Sequence, residues 1–364
     1  MRTGMIVAVI VVLSLGAMVL GCHRSAANTT PSPTQVADQA GAPPGNAPAP
    51  GPASPPAGGT SAATPAGGPE EKPKASLNLP TFTVRQGSQE FDLAGASQVT
   101  ILNKFGTVHV KAGGPKVAVQ ETIYARGKDK PDATARAKGF QLTSKRDPKE
   151  GLQLTFEGDA KNVDVGTGLV VSMPPTVKVL VRVSDGDVRV EDFAAPVTVD
   201  GSAGAVSVGK VKGKVGVSTA AGNITVAGAT DGLEAQTSSG NLKLTDANGK
   251  VTARTMSGDI KLQVGRSEKI LATTMSGAIN VTVTSPFSGD LQSSSSSGDI
   301  RVAIPANSDC KVTTATGSGP TKCTLPLKDV KRNGPNYDAG HLGSGKGAVR
   351  IMNDTGAIEL VPTT

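Results

Sequence analysis

The sequence predicts an all-β protein, a single-domain β-solenoid built from 18-residue coils of two short strands each. Three observations predict it. First, Gly186, Gly204, Gly222, Gly240 and Gly258 lie 18 residues apart, and Gly277, Gly298 and Gly319 follow at intervals of 19, 21 and 21. Second, the positions two and four after each glycine are aliphatic: Val188 and Val190, Ile224 and Val226, Leu242 and Leu244, Ile260 and Leu262, Ile300 and Val302. Polar residues such as Arg189, Thr225, Lys243, Lys261 and Arg301 stand between them, which is the in, out, in alternation of a half-buried strand. Third, an aliphatic residue precedes the glycine by seven positions throughout: Val179, Val197, Val215, Leu233, Val251, Ile270, Leu291 and Val312. A unit this small cannot bury its apolar face alone, whereas stacked copies bury a continuous core. With a strand spacing of roughly 4.8 Å, about eight coils make a rod on the order of 40 Å long. An antiparallel meander is the competing fold, but nothing in a meander holds a period of 18 through four consecutive intervals.

The glycines are expected at tight turns that need positive φ. Ser239, Ser257, Ser276 and Ser297 precede them, and Asp187, Asn223, Asn241, Asp259 and Asp299 follow, short polar residues suited to turn-stabilising ladders.

In chain order, residues 1–22 read as a targeting segment. Arg2 supplies the positive start, Met5 to Val19 an apolar stretch short for a transmembrane helix, and Val19-Leu20-Gly21-Cys22 the end. A small residue directly before a cysteine resembles the lipobox of bacterial lipoproteins. That resemblance implies cleavage before Cys22, lipidation of its sulfur and acylation of its new amino group; a plain secretory signal or an uncleaved anchor is the alternative. Two or more acyl chains, at about 0.8 kcal/mol per buried CH₂, hold a protein stably on a membrane. In a Gram-negative cell, His23 in place of an aspartate after the cysteine favours the outer membrane.

Residues 23–74 are dominated by Pro, Ala, Gly, Ser and Thr and read as a disordered tether, too poor in large apolar side chains to offset the entropy of ordering. Residues 75–183 read as an irregular β cap leading into the solenoid. Val99, Ile101, Gly106, Val108 and Val110 already carry the coil spacing, and strands are expected at Val117–Tyr124, Phe140–Ser144, Leu152–Phe156 and Leu169–Met173, with a helical turn near Asp132–Lys138. Pro174-Pro175 breaks the chain before the stack resumes. Residues 184–364 hold the regular repeats, interrupted by a polar loop at 324–346, after which Val349, Ile351, Gly356, Ile358 and Leu360 are expected to form the coil that closes the core.

Together, Asn103-Lys104-Phe105-Gly106-Thr107-Val108, Met173-Pro174-Pro175, the SGDI turns at Ser257–Ile260 and Ser297–Ile300 and the closing Gly345–Leu360 resemble a family of bacterial envelope proteins regarded as candidate adhesins. That family carries a β-strand repeat domain of unknown function. The resemblance covers most of residues 95–361. It implies a surface or adhesive role and supplies no catalytic residues. Some relatives accompany envelope-stress signalling systems, so an accessory or sensor role is a second expectation.

The chemistry the sequence displays is sparse. His23, His109 and His341 are scattered, without thiols or carboxylates at metal-ligand spacing, so no metal and no cofactor is expected. No nucleophile motif or phosphate-binding loop appears, which argues against an enzyme; a polysaccharide-acting β-helix enzyme is the remaining catalytic alternative. The formal charge of +7 is mild for 364 residues and points to no nucleic-acid partner. Arg189, Lys243, Lys261 and Arg301 share one outward column. They form either a weakly basic stripe for acidic polysaccharide or phospholipid headgroups or a merely solvated strand face. The expected partners are therefore membrane lipid through the acylated N-terminus and an envelope polysaccharide or protein.

With Cys22 assigned to lipid, Cys310 and Cys323 remain as an even pair in an exported chain. Both read as inward-facing and symmetric about Thr316-Gly317, so a disulfide across one coil is expected; two small buried thiols are the alternative.

Overall fold

The computed structural model describes residues 79–148, 151–158 and 164–363. Cys22, the rest of the 1–22 segment and the 23–74 tether lie outside the described residues. What is described is a β-solenoid whose strands join into one continuous sheet of 26 strands. Each coil contributes a strand before its glycine to a first face and a strand after it to a second face. The Gly258 coil, for example, is made of Lys250–Ser257 and Ile260–Val264.

Neighbouring coils pair in parallel and in register, so that like positions stack: Val206 on Val188, Ile224 on Val206, Leu242 on Ile224 and Ile260 on Leu242. The inward columns are almost wholly buried and form one apolar core along the stack. Side-chain volume is balanced within coils. Where Ala235 and Ala253 replace the valines at positions 199 and 217, their own coils carry Leu244 and Leu262 in place of valine on the other strand, and all four are at most 1 % exposed. Large opposite small keeps the interior at crystal-like density.

Gly240 shows why the turn residue is invariant. Its φ is +146°, and a Cβ there would stand 2.2 Å from the carbonyl oxygen of Gly222 in the next coil. Conformation and close approach thus exclude a side chain together. The freed space is used for bonding: Gly240 N–H donates to Ser257 at 2.9 Å and Leu242 N–H to Asp259 at 2.9 Å, linking one turn to the next.

Two side-chain ladders reinforce these turns. On the outside, the residue after the glycine accepts the backbone N–H of its counterpart one coil on: Asn223 from Asn241, Asn241 from Asp259, and Asp259 from Ala278, each at 2.8 Å. Inside, a buried hydroxyl three positions before the glycine donates to the preceding coil's glycine carbonyl. Thr237 reaches Gly222, Thr255 reaches Gly240 and Thr274 reaches Gly258, at 3.2 to 3.3 Å. An otherwise orphaned buried carbonyl costs about 1–3 kcal/mol, so this column matters.

At both ends the order of coils departs from the order of sequence. The Gly106 coil, a single strand Gln98–Ala112 that bends across both faces, lies inside: its first half pairs with Lys178–Asp185 and its second half with Val188–Glu191. Beyond it lie Gly151–Glu157 and Val165–Met173, also parallel to it. Antiparallel strands finish this end, Val117–Arg126 and Thr81–Phe91 on the second face and Gln141–Asp147 on the first. The one α-helix among the described residues, Lys130–Arg136, starts earlier than expected because the Asp129 carboxylate caps it by accepting Asp132 N–H and Pro131 fits the first turn.

At the other end, the Gly356 coil does not close the stack, contrary to the expectation from sequence. It is inserted between the Gly298 and Gly319 coils: Gly347–Thr355 pairs with Asp290–Ser297 on one side and Cys310–Ser318 on the other. Ile358–Pro362 likewise lies between Ile300–Ile304 and Thr321–Cys323. The 324–346 segment is not a loop throughout. It forms an antiparallel hairpin, Lys328–Arg332 and Tyr337–Leu342, on the edge of the Gly319 coil. Its outer strand is exposed at every position, so no apolar alternation marked it, and its lysines and arginine discourage further edge pairing.

Replacing Gly240 by alanine is expected to destabilise the protein by at least ~2 kcal/mol, since strain and a backbone clash coincide. Gly209→Ala, where a Cβ meets nothing within 4 Å, is expected to change stability by less than about 1 kcal/mol. Denaturant midpoints of the two variants check this, and equal shifts would contradict it.

Candidate functional site

The solenoid presents its two outer faces as candidate binding surfaces, and their character is set by what the stacked columns carry. On the second face, two of the four basic residues of the outward column are paired with carboxylates. Arg189 Nη2 bonds Glu191 Oε1 at 2.6 Å, and the other oxygen of Glu191 meets His109 Nε2 at 3.1 Å. Arg189 is the first cause that holds the Glu191 carboxyl below the usual range; the His109 contact adds to it. Because the Gly356 coil is inserted, Glu359 stands between Arg301 and Lys322 and pairs with both. Lys243 and Lys261 remain stacked side by side, like charges one strand spacing apart. The inserted coil, whose place the repeat spacing does not show, puts a carboxylate between Arg301 and Lys322 at one end of the column.

The first face carries charged residues of both signs and three exposed methionines. Arg182 reaches Asp200 across one coil at 3.6 Å. The methionines Met256 and Met275 stack in adjacent coils, 54 % and 60 % exposed, and Met352 lies exposed on the same face. A cleft of about 750 Å³ opens where this face meets the cap, lined among others by Leu102, Asn103, Lys104, Phe156, Arg182 and Asp200.

The predicted site residues fare differently. Gly186, Gly204, Gly222, Gly240, Gly258, Gly277, Gly298, Gly319 and Gly356 all have positive φ and line one edge of the stack. Cys310 and Cys323 are not bonded to each other in the structure. The turn of this coil is at Gly319 and not at Thr316-Gly317. Cys310 begins the strand Cys310–Ser318, and Cys323 lies close after the turn, in Thr321–Cys323. Burial pushes the Cys310 thiol up to about 11, helped by the charge of Asp309. His341 sits 3.6 Å from Asp329 in the hairpin. Among the described residues, no three His, Cys, Asp or Glu side chains gather where they could hold a metal ion.

Sequence reasoning missed two features. One is the inner hydroxyl column of Thr219, Thr237, Thr255, Thr274, Ser295 and Thr316, whose signal was present as a Ser or Thr three before six of the nine turn glycines. The other is Asp309, whose Oδ1 accepts Gly345 N–H at 2.7 Å and Lys346 N–H at 3.1 Å, while Oδ2 accepts Ser344 Oγ at 2.9 Å. This carboxylate clamps the chain as it turns back into the inserted coil. The Lys346 N–H, then the Ser344 hydroxyl, hold its pKa below the usual aspartate value.

A family model described as Toastrack DUF4097 matches residues 116–360, well over half of the chain, and the chain belongs to that family. The resemblance carried by Met173-Pro174-Pro175 and the repeated SGDI turns is to this family. A search of curated proteins finds no match. Among solved structures, a candidate adhesin from Bacteroides fragilis is 13 % identical, aligned over 76 % of this chain and 97 % of that one with a TM-score of 0.29. A candidate cell adhesion protein from Clostridium sporogenes is 10 % identical, over 77 % and 99 % of the two chains, with a TM-score of 0.23. A candidate lipid-binding protein from Parabacteroides distasonis is 12 % identical, over 75 % and 96 %, with a TM-score of 0.32. Scores this low say nothing about what this chain binds.

The Asp309 clamp gives a pH dependence with a definite sign. A carboxyl with a depressed folded pKa adds stability that is present above the ordinary aspartate range and lost as pH falls through the folded value. Asp309→Asn is therefore expected to unfold at lower denaturant than the parent at pH 7, with the gap narrowing as pH falls below the carboxylate range. Denaturation curves at the two pH values check this, and a gap that stays constant contradicts it.

Proposed function

We propose that the chain is a lipid-anchored cell-envelope protein whose solenoid serves adhesion or scaffolding and not catalysis. The observation that carries this reading is how the outer charges are spent. Arg182 is paired with Asp200, and Arg301 and Lys322 with Glu359, exposed contacts that staple neighbouring strands, while Arg189 is paired with Glu191 along its own strand. Such charges brace a surface; they do not leave an acid and a base aimed at a common point, as glycoside cleavage by a paired-carboxylate mechanism requires.

Membership of a family named for its fold and for unknown function is consistent with a structural role and does not decide it. The anchor rests on the sequence Val19-Leu20-Gly21-Cys22, and a tether of about 50 residues would carry the solenoid on the order of 40 Å from the lipid as a flexible coil. The exposed Met256 and Met275 and the cleft beside Arg182 are surfaces that a polysaccharide or protein partner would meet.

Two measurements test this reading. Cys22→Ala is expected to abolish incorporation of labelled palmitate and to leave the protein unprocessed or released from membranes; palmitate still incorporated by the variant contradicts the anchor. Incubation of the chain with envelope and extracellular polysaccharides is expected to leave chain length unchanged. Reproducible cleavage would overturn the non-catalytic reading while leaving the anchor untouched.

A further inference from the structure

The inserted Gly356 coil is a joint where the stack leaves the order of the sequence, and we propose that residues 345–363 act as a removable wedge between two stackings of the last coils. In the observed arrangement the wedge separates the Gly298 coil from the Gly319 coil. In the second arrangement it is released, and the Gly319 coil stacks directly on the Gly298 coil, as sequence neighbours do through the middle of the solenoid.

The register permits this exchange. Gly298 and Gly319 are 21 residues apart, the same interval as Gly277 and Gly298, whose coils are direct neighbours. Val312 would meet Leu291 as Val349 does now, since both are paired with Val349 in its place between them. The ladder chemistry is also conserved across the exchange. Thr316 Oγ1 now donates to Gly356 at 3.1 Å, and without the wedge it would find the carbonyl of Gly298, which Asn353 Nδ2 occupies at 2.8 Å.

Two buried polar atoms mark the joint as costly. In a column where other coils carry Thr or Ser, the wedge carries Asn353, whose Oδ1 is buried without a hydrogen-bond partner. The facing coil holds Ser293 Oγ, likewise buried and unpartnered. Of the three such orphan atoms among the described residues, these two flank the wedge. A hydroxyl donor replaces the amide in the direct stack, and Thr314 would come beside Ser293, so release relieves both.

Polar latches oppose release. Glu359 lies between Arg301 and Lys322, which would face each other as like charges if it left. Arg350 bonds Asp290 at 3.2 Å, and Asp309 grips the backbone of Gly345 and Lys346 at the hinge. The inserted arrangement is thus the ground state, held by these charges and by the burial of Val349, Ile351, Ile358 and Leu360, each at most 1 % exposed, while the orphan groups lower the cost of a minor released state.

Hydrogen–deuterium exchange on the full chain separates this from ordinary fraying. If the stack frays from its end, the outer strand Cys310–Ser318 must open before the inserted strands. If the wedge leaves and the outer coil restacks, the amides of Ala348–Ile351 and Ile358–Val361 exchange faster than those of Lys311–Ala315, which is the expected result; equal or slower exchange in the wedge overturns the proposal. Glu359→Gln is expected to speed exchange in the wedge severalfold. Asn353→Thr, which restores the hydroxyl column, is expected to slow it by about tenfold, the factor one net hydrogen bond of about 1.4 kcal/mol supplies. Wedge exchange that is indifferent to both substitutions overturns the proposal equally.

Discussion

Contact between backbones at the glycine turn is the constraint from which the rest of the solenoid follows. A side chain at Gly186 would begin 2.0 Å from the carbonyl of Gly106, and one at Gly298 would begin 2.2 Å from that of Gly277. Chains that approach this closely must stack in register, because a slip of one residue would drive a Cβ into the neighbouring turn. Register in turn sets which residues share a column. Aliphatic side chains therefore stack inward into one core, short amides and carboxylates stack outward into a ladder, and hydroxyls beneath the turn satisfy the glycine carbonyls. The hydrophobic term supplies most of the favourable energy and forbids a one-residue slip, which would turn every inward aliphatic outward; the turn excludes the two-residue slips that keep the same face inward.

The same constraint explains the ends. A solenoid must finish its open edges, and this chain does so by changing strand direction. Antiparallel strands flank the cap, and an antiparallel hairpin rich in Lys and Arg flanks the Gly319 coil. Asp338, buried in that hairpin, is held by Arg332 at 3.2 Å and Thr321 at 3.0 Å, which ties the hairpin to the coil it covers. Both ends also fold a coil back inside: Gln98–Ala112 lies within the strands that follow it, and Gly347–Pro362 within those that precede it. Non-sequential stacking makes the terminal layers long-range contacts, joined to the body of the solenoid from both sides.

How much of this was legible in the sequence depends on whether it recurs. The turn glycines and the inward aliphatics such as Val188, Ile224 and Leu262 repeat every coil, and the outward ladder of Asn223 and Asn241 recurs in five of the nine, so a single chain displays them many times over. The hydroxyl column recurs too, but Ser and Thr are common in turns, and their inward direction is fixed only once the bend at the glycine is placed. The order of the last coils could not be read, because Gly298, Gly319 and Gly356 carry the same pattern and periodicity does not say which stacks on which. Glu359 was not legible as a member of the basic column for that reason, since it joins it only through the insertion. The symmetry read for Cys310 and Cys323 was drawn about Thr316-Gly317, whereas the chain turns three residues later.

The most direct test of this account is the neighbour of the Gly298 coil in solution. In nuclear Overhauser spectra of the labelled chain, cross-strand backbone contacts should link Arg301 and Val302 with Glu359 and Leu360, and Val302 should show none to Cys323. Dominant contacts from Val302 to Cys323, with Leu360 at the end of the stack, would contradict the inserted coil and with it the explanation of the charge pattern, the orphan groups and the Asp309 clamp.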